Sequence, residues 1–292
     1  MDKLIIRTQE NSNKHEKLLH YCSIKTLERI LHDRTLRCSS LGYLQLNDKF
    51  ERQRIGIEQY ANDYFISCFC NCQHEIVPFW YNYAGENLKE KVLVKFSNFA
   101  DKITDCIETD YFLTAESRKM FFLNKEYEKT INQNGCLGQN FNLPPINVEY
   151  DLKNSIKSLK ILDVEYLPIS DDVFTRQYKE EGEITFDDGK SRVRIPISDI
   201  RTLGYYKTEH WEYEHETRLI CSMQSYGNTK FDYILLRLKD AMFNNLTIVE
   251  NPWSDPSFRN EIDELISKSH IEETIKSTIS IEKSQLDGLL KE

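Results

Sequence analysis

The run Leu18-Leu19-His20-Tyr21-Cys22-Ser23-Ile24-Lys25-Thr26-Leu27-Glu28-Arg29-Ile30-Leu31 changes its periodicity partway along. Residues 18–21 read as the end of a strand. Ser23 then stands at a helix N-cap, and Ile24, Leu27, Ile30 and Leu31 recur at helical spacing. A strand that hands over to a helix through a capping serine puts His20 and Tyr21 at the corner.

Upstream, Met1-Asp2-Lys3-Leu4-Ile5-Ile6-Arg7 has a two-residue apolar patch where a signal peptide would have its core, which predicts a cytoplasmic protein. Downstream, residues 38–46 read as strand and turn and 50–64 as a helix with charged faces. Tyr64-Phe65-Ile66-Ser67-Cys68-Phe69 reads as a buried strand. Pro78 opens a helical turn carrying Phe79, Trp80 and Tyr83, and Lys91-Val92-Leu93-Val94-Lys95-Phe96 follows as a strand. Residues 99–157 read as helices and loops with no strand alternation, a helical insertion with a turn at Asn134-Gly135. Strands resume at 160–166, at 191–196 after the turn Asp187-Asp188-Gly189, at 217–221, and at 233–236 after Tyr226-Gly227-Asn228. A C-terminal α/β extension over 240–292 offers a strand at 246–249, a helix from Asp255-Pro256 to about residue 269, and a last strand near 278–281. Strands and helices without regular βαβ alternation predict one α+β domain over residues 1–292.

The 292 residues are 12% aromatic, which argues against disorder, and no apolar run approaches the ~18 residues of a spanning helix, so no membrane role is expected. The formal charge of −9 argues against nonspecific nucleic-acid coating, which depends on Lys and Arg displacing counterions, and favours a small-molecule site. Eight cysteines diluted over a chain of this length read as reduced thiols.

Several groups could carry chemistry. His20 and Tyr21, just ahead of a helix N-terminus, are placed to hold a ribose or diphosphate, or His20 simply caps its loop. In Trp211-Glu212-Tyr213-Glu214-His215-Glu216-Thr217-Arg218 the glutamates alternate at period two. On a strand edge they crowd one another and raise at least one pKa; the plainer reading is a solvated face neutralised by Lys207 and Arg218. Cys68, Cys70 and Cys72 read as a thiol row, since zinc spacing and a second ligand pair are lacking, so no metal is expected. Asn47-Asp48-Lys49-Phe50-Glu51 reads as a polar turn with Asp48 as a helix cap, and Phe79, Trp80, Tyr81 and Tyr83 as core with one ring able to stack on a planar ligand. A P-loop, GxGxxG turn, GxSxG elbow and HExxH helix are absent from the sequence.

The ordered set from Leu19-His20-Tyr21-Cys22-Ser23 through Asn47-Asp48-Lys49-Phe50-Glu51, Ser67-Cys68-Phe69, Trp80 and Tyr83 to Lys207 and 211–218 resembles the bacterial family catalogued as domain of unknown function 2971. Lys49 stands where that family typically has proline. The order of a first-strand histidine, a helix with an Ile-Leu pair, a central Ser-containing strand and a late Glu-x-Glu is also similar, more weakly, to the ADP-ribosyltransferase superfamily. That resemblance implies split mixed or antiparallel sheets around a cleft and NAD as substrate. By the same resemblance His20 would bind ribose, with Tyr21, Ser67 and Arg218 also at the cofactor. Trp80 or Tyr83 would stack on nicotinamide, and Glu216 would be catalytic with Glu214 assisting. Asn47, Asp48, Glu51, Lys207 and Trp211 are further candidates. It implies a transferase modifying a macromolecular acceptor, or an NAD glycohydrolase, as a toxin or phage-defence effector with an antitoxin or other partner. The paired Glu-x-Glu goes in that superfamily with a first-strand arginine, whereas this chain has histidine. Two other readings are a nuclease or phosphoesterase with Mg²⁺ held by Asp48, Glu51, Glu214 and Glu216, and a noncatalytic protein-binding module.

Overall fold

The computed structural model describes residues 6–8, 17–41, 48, 63–83, 87–99, 102–103, 112–117, 146–151, 156–168, 182–185, 192–195, 204–223 and 233–290. The candidates Asn47 and Glu51, the helix expected over most of 50–64, and the turns at Asn134-Gly135, Asp187-Asp188-Gly189 and Tyr226-Gly227-Asn228 lie outside them.

Strands β1 (Ile6–Thr8) and β2 (Lys17–Ser23) precede helix α1 (Ile24–His32) and β3 (Thr35–Ser40). Next come β4 (Tyr64–Cys70), the short helix α2 (Val77–Asn82) and β5 (Lys91–Ser97). β6 (Phe112–Ser117), β7 (Ile146–Asp151), β8 (Ile156–Asp163) and β9 (Glu165–Leu167) follow. β10 (Gly182–Thr185), β11 (Arg192–Ile195), β12 (Tyr206–Thr208), β13 (Glu216–Met223) and β14 (Tyr233–Arg237) lead to β15 (Thr247–Glu250), helix α3 (Pro256–Lys268) and β16 (Ser280–Glu282). The architecture is α+β. Among the described residues, twelve strands join one mixed sheet and two further pairs, β10 with β11 and β9 with β12, stand beside it. No helix among these residues is long and apolar enough to cross a membrane.

Helix α1 forms where the sequence places it. The Ser23 hydroxyl accepts the Thr26 amide at 3.2 Å, satisfying one of the donors a helix N-terminus leaves open. Ile24, Leu27, Ile30 and Leu31 are buried on one face, each contributing roughly 1.5–3 kcal/mol by leaving water. That face meets Phe258 and Ile262 of α3 and the sheet residues Phe65, Phe69 and Phe96 in the main core. Helix α3 starts at Pro256, with the Asp255 carboxylate accepting the Ser257 amide at 2.8 Å.

Two stretches differ from the expected layout. Segment 99–157, expected to be a helical insertion, begins with helical residues at Phe99 and 102–103 but then supplies β6 and β7. These pair antiparallel from Phe112 opposite Asp151 to Ser117 opposite Ile146, and β6 continues the sheet beside β14. In sequence, Ile146, Val148 and Tyr150 alternate with Asn147, Glu149 and Asp151, a strand pattern whose partner residues lie 29 to 39 positions earlier, from Ser117 opposite Ile146 to Phe112 opposite Asp151. Residues 240–290, expected as an extension, add β15 antiparallel to β5 and β16 parallel to β15, and Leu246, Ile248 and Ile262 belong to the main core.

Candidate functional site: a cleft where the sheet divides

The site follows from how β4 is shared. One edge of β4 is taken by β13 along its length, from Cys70 opposite Glu216 to Tyr64 opposite Ser222. The other edge serves two strands. β2 meets it at Leu19 opposite Cys70, and β3 meets it at Ser39 opposite Ile66 and Ser40 opposite Phe65. Helix α1 carries the chain from β2 out and back as β3, so Ser67, Cys68 and Phe69 have neither strand against them on that edge. A cleft of about 520 Å³ opens there, floored by Ile66, Ser67 and Cys68 and walled by His20 and Arg37, with Tyr83 also lining it.

An unpaired strand edge exposes carbonyls that need donors. The Cys68 carbonyl lies 3.0 Å from His20 Nδ1. A carbonyl only accepts, so Nδ1 carries the proton in this bond. Burial lowers the His20 pKa against the opposing effect of the Cys68 carbonyl, so the ring is neutral and Nε2 is an acceptor. Ser67 is 4% exposed, and its hydroxyl has no hydrogen-bond partner among the described residues.

Tyr83 is fixed by a stack of rings. It lies 4.6 Å from Phe79, which stacks on Tyr21 at 5.0 Å, and Trp80 meets Tyr21 edge-on. The fully buried Lys91 donates to the carbonyls of Trp80 at 2.7 Å and Tyr81 at 3.0 Å, holding the end of α2 just before Tyr83. The Tyr83 hydroxyl donates a short hydrogen bond to Glu214.

Behind the floor lies a buried ionic network. Lys207 Nζ sits 2.5 Å from Glu214 and 2.8 Å from Glu216. Arg218 grips Glu216 with Nε at 2.8 Å and Nη2 at 2.9 Å, and its Nη1 donates to the Gly204 carbonyl at 2.8 Å. Glu214, Glu216, Lys207 and Arg218 are all buried. Burial alone would push the Glu216 pKa up, but Arg218 and then Lys207 outweigh it and hold the group at about 2. The Cys68 thiol hydrogen-bonds Glu216, while burial and then the Glu216 charge push that thiol well above its usual range. One residue therefore reaches both parts of the site, through its carbonyl to His20 and through its thiol to Glu216.

The glutamates do not alternate along a strand edge. Glu209–Glu214 is a 3-10 helix, and His215 turns the chain in the left-handed region at φ 42° before β13 begins at Glu216. This reversal brings Glu214 and Glu216 together on Lys207 and leaves Glu212 outside, exposed. Hydrogen bonds lock it. Asn71 N–H donates to the His215 carbonyl at 2.9 Å, Val164 N–H to the Glu216 carbonyl at 2.8 Å, and Glu216 N–H to the Tyr166 hydroxyl at 2.8 Å. The mutual crowding expected to raise a carboxyl pKa is replaced by a lysine between the two groups and an arginine behind one, so the Glu216 shift runs downward.

The remaining candidates fall into three places. His20, Tyr21, Ser67 and Tyr83 line the cleft. Trp80 is sealed in the core with Nε1 donating to Glu75 at 3.0 Å, and Arg218 is sealed behind Glu216. Asp48, buried, accepts from Thr208 N–H at 2.7 Å and the Thr208 hydroxyl at 3.1 Å, bracing the strand that carries Lys207, whose ammonium lies 5.6 Å over the Trp211 ring. Cys70 and Cys72 are free thiols. Among the described residues no group of three or more His, Cys, Asp and Glu is arranged to hold a metal, and Lys207 occupies the position between Glu214 and Glu216 that a divalent cation would take. The sequence reading missed Arg29, Arg37 and Thr26, which also line the cleft. The available signal was position: Thr26 and Arg29 follow the capping serine at intervals of three, on one helix face.

Comparison with protein-family models, with curated proteins and with solved structures returns no match.

Proposed function

We propose that the protein is an ADP-ribosyltransferase-like enzyme that uses NAD, cleaving the nicotinamide–ribose bond and passing ADP-ribose to a macromolecule or to water. The observation that carries this reading is the cleft at the divided sheet, with neutral His20 on its wall and the buried Glu214–Lys207–Glu216 network reaching it through Tyr83 and Cys68. His20 Nε2 accepts a hydrogen bond from a ribose hydroxyl. The Tyr83 ring packs on nicotinamide, and its oxygen, made electron-rich by donating to Glu214, faces the positive charge that develops on the ribose. The bond electrons leave with neutral nicotinamide. The oxocarbenium-like sugar is stabilised by the negative side of a water-excluded network until the acceptor oxygen or nitrogen bonds to C1′ and gives up its proton to solvent water. The effector role, toxin or phage defence with a cognate partner protein, extends this reading to the cell.

Incubation with labelled NAD and cell extract tests it. Wild type releases nicotinamide or labels an acceptor, and Glu216→Gln lowers the rate by about 10²-fold or more, in line with the loss of one preorganised electrostatic group. Thermal melting of the variant separates lost chemistry from lost fold. Absence of both label and nicotinamide release from folded wild type overturns the proposal.

A further inference from the structure

His32 and His270 come from distant parts of the chain and meet at the surface. His32 is the last residue of α1, and His270 follows the end of α3 by two positions. Their ring centroids stand 4.1 Å apart with the planes tilted by 52°, and both residues are exposed. Both Nδ1 edges face residues 32–33. His270 Nδ1 lies 3.2 Å from the His32 carbonyl, and His32 Nδ1 lies 3.2 Å from the Asp33 carboxylate. A carbonyl and a carboxylate only accept, so each Nδ1 carries the proton in its bond. That leaves Nε2 as the lone-pair nitrogen of each uncharged ring, and among the described residues neither Nε2 has a hydrogen-bond partner. The segments carrying the rings are tied together. The Asp240 carboxylate accepts from Arg34 Nη1 at 2.5 Å, two residues past His32, and from the Glu272 N–H at 2.8 Å, two residues past His270. Ile271, 3% exposed, anchors the second segment in the main core. The two imidazoles are therefore brought together by the backbone on both sides.

We infer that His32 and His270 form a two-histidine site for a divalent transition metal such as Zn²⁺, bound through the two Nε2 atoms. Among the described residues no third His, Cys, Asp or Glu joins the pair, so water completes the coordination. Imidazole nitrogen suits Zn²⁺, Ni²⁺ and Cu²⁺, whereas Mg²⁺ prefers oxygen. Zinc binds imidazole nitrogen at ~2.0–2.1 Å, so one ion spans two nitrogens up to about 4 Å apart, close to the ring spacing here. Metal-binding histidines characteristically donate the other ring N–H to a carboxylate or a backbone carbonyl, which fixes the tautomer and the ring. Here one ring has each kind of partner. An ion at this point joins the end of α1 to the segment after α3, so binding adds to the stability of the fold. The site stands independently of the activity proposed for the cleft.

Calorimetric titration with Zn²⁺ alone tests the site in wild type, His32→Gln, His270→Gln and His74→Gln. His74 is an exposed histidine two residues from the Cys72 thiol, so its variant reads binding at that rival position. Wild type binds Zn²⁺, each variant of the pair weakens binding by at least about tenfold, and His74→Gln leaves it unchanged. In thermal melting Zn²⁺ raises the midpoint of wild type and of neither pair variant, and Mg²⁺ raises none of them. A readout that needs no variant is the electron paramagnetic resonance of Cu²⁺ at one equivalent, which shows coupling to two imidazole nitrogens. No Zn²⁺ binding, wild-type affinity in either pair variant, an equal loss in His74→Gln, or fewer than two coupled nitrogens overturns the inference. Both side chains are exposed, so metal-free melting of the variants matches wild type and separates a lost ligand from a lost fold.

Discussion

Strand β13 is buried along nearly its whole length, yet its two halves are built from opposite materials. Glu216, Thr217 and Arg218 begin it, with Arg218 1% exposed and Glu216 6% exposed; Leu219, Ile220 and Cys221 complete it, at 0%, 3% and 0%. The second half stabilises the sheet by removing apolar surface from water on both faces, Leu219 and Cys221 in the same core as Phe65, Leu159 and Ile234 and Ile220 in a second cluster with Leu41, Ile66 and Leu162. The first half is expensive to build. Its charges lose their hydration, and the attraction among Lys207, Glu214, Glu216 and Arg218 offsets that loss only while each charge has its partner. Aliphatic residues would have served the fold at this end as well as they do at the other. The charged end is also the one that lies against the divided sheet, where Cys68 and Tyr83 connect it to the cleft.

The contrast can be broken at its strongest point first. Arg218→Met leaves Glu216 to share Lys207 with Glu214 and costs about 3–5 kcal/mol in urea unfolding. Adding Glu216→Met to that variant recovers most of the loss, because Lys207 and Glu214 remain as a balanced pair. If the double variant is as unstable as the single one, the first half of β13 is needed for the fold and the comparison fails.

Acid acts on the same end. Glu216 is held at about 2 in the folded protein against 4.5 for an ordinary glutamate. A depressed folded pKa contributes stability that is present above the unfolded value and disappears as pH falls through the folded value, here about 3 kcal/mol lost between about pH 4.5 and 2. Chemical denaturation over that range shows the loss in wild type and not in the Glu216→Met, Arg218→Met double variant. The thiol end responds on the other side of neutrality. Burial raises the Cys221 pKa, so its contribution is complete below the ordinary thiol range and falls as pH rises past it.

Smaller changes sharpen the comparison. Ile220→Val removes one methylene from the apolar half and costs about 1 kcal/mol in urea unfolding, without disturbing the proposed activity. His215→Gly relieves a left-handed residue at the junction but loosens the unfolded chain, so stability shifts by only a few tenths of a kcal/mol. His215→Val, β-branched at φ 42°, costs more than 1 kcal/mol.

What the sequence disclosed was mostly local. The capped start of α1, the Pro78 turn, the Asp255-Pro256 start of α3 and strands β5 and β14 depend on residues within a few positions of one another, and spacing reveals them. Strands β6 and β7 were hidden because each is completed by a partner far along the chain. The Glu212, Glu214 and Glu216 row misled for a different reason. Period two in sequence resembles a strand, but a 3-10 turn and one left-handed histidine sort the same residues into one exposed carboxylate and two buried ones. Lys207 and Arg218 were expected as neutralising charges, whereas their role as buried partners depends on β12 and β13 meeting in three dimensions. The arginines of the cleft carry no motif at all. Only the fold shows that α1 and β3 bring them to the same opening.

The divided sheet also sets an order of events during synthesis. The cleft is lined by residues from His20 to Leu235, and its floor strand, β4, is flanked throughout by β13. A ribosome that has finished residues 17–70 has made both walls and the floor, but neither β13, which supports the floor, nor β14, which supports β3. Since strands far apart in sequence pair late, a nascent chain holds His20 for roughly two hundred residues of translation before the pocket around it can close. Whatever the cleft binds, it can be held only once the chain has been made through β14.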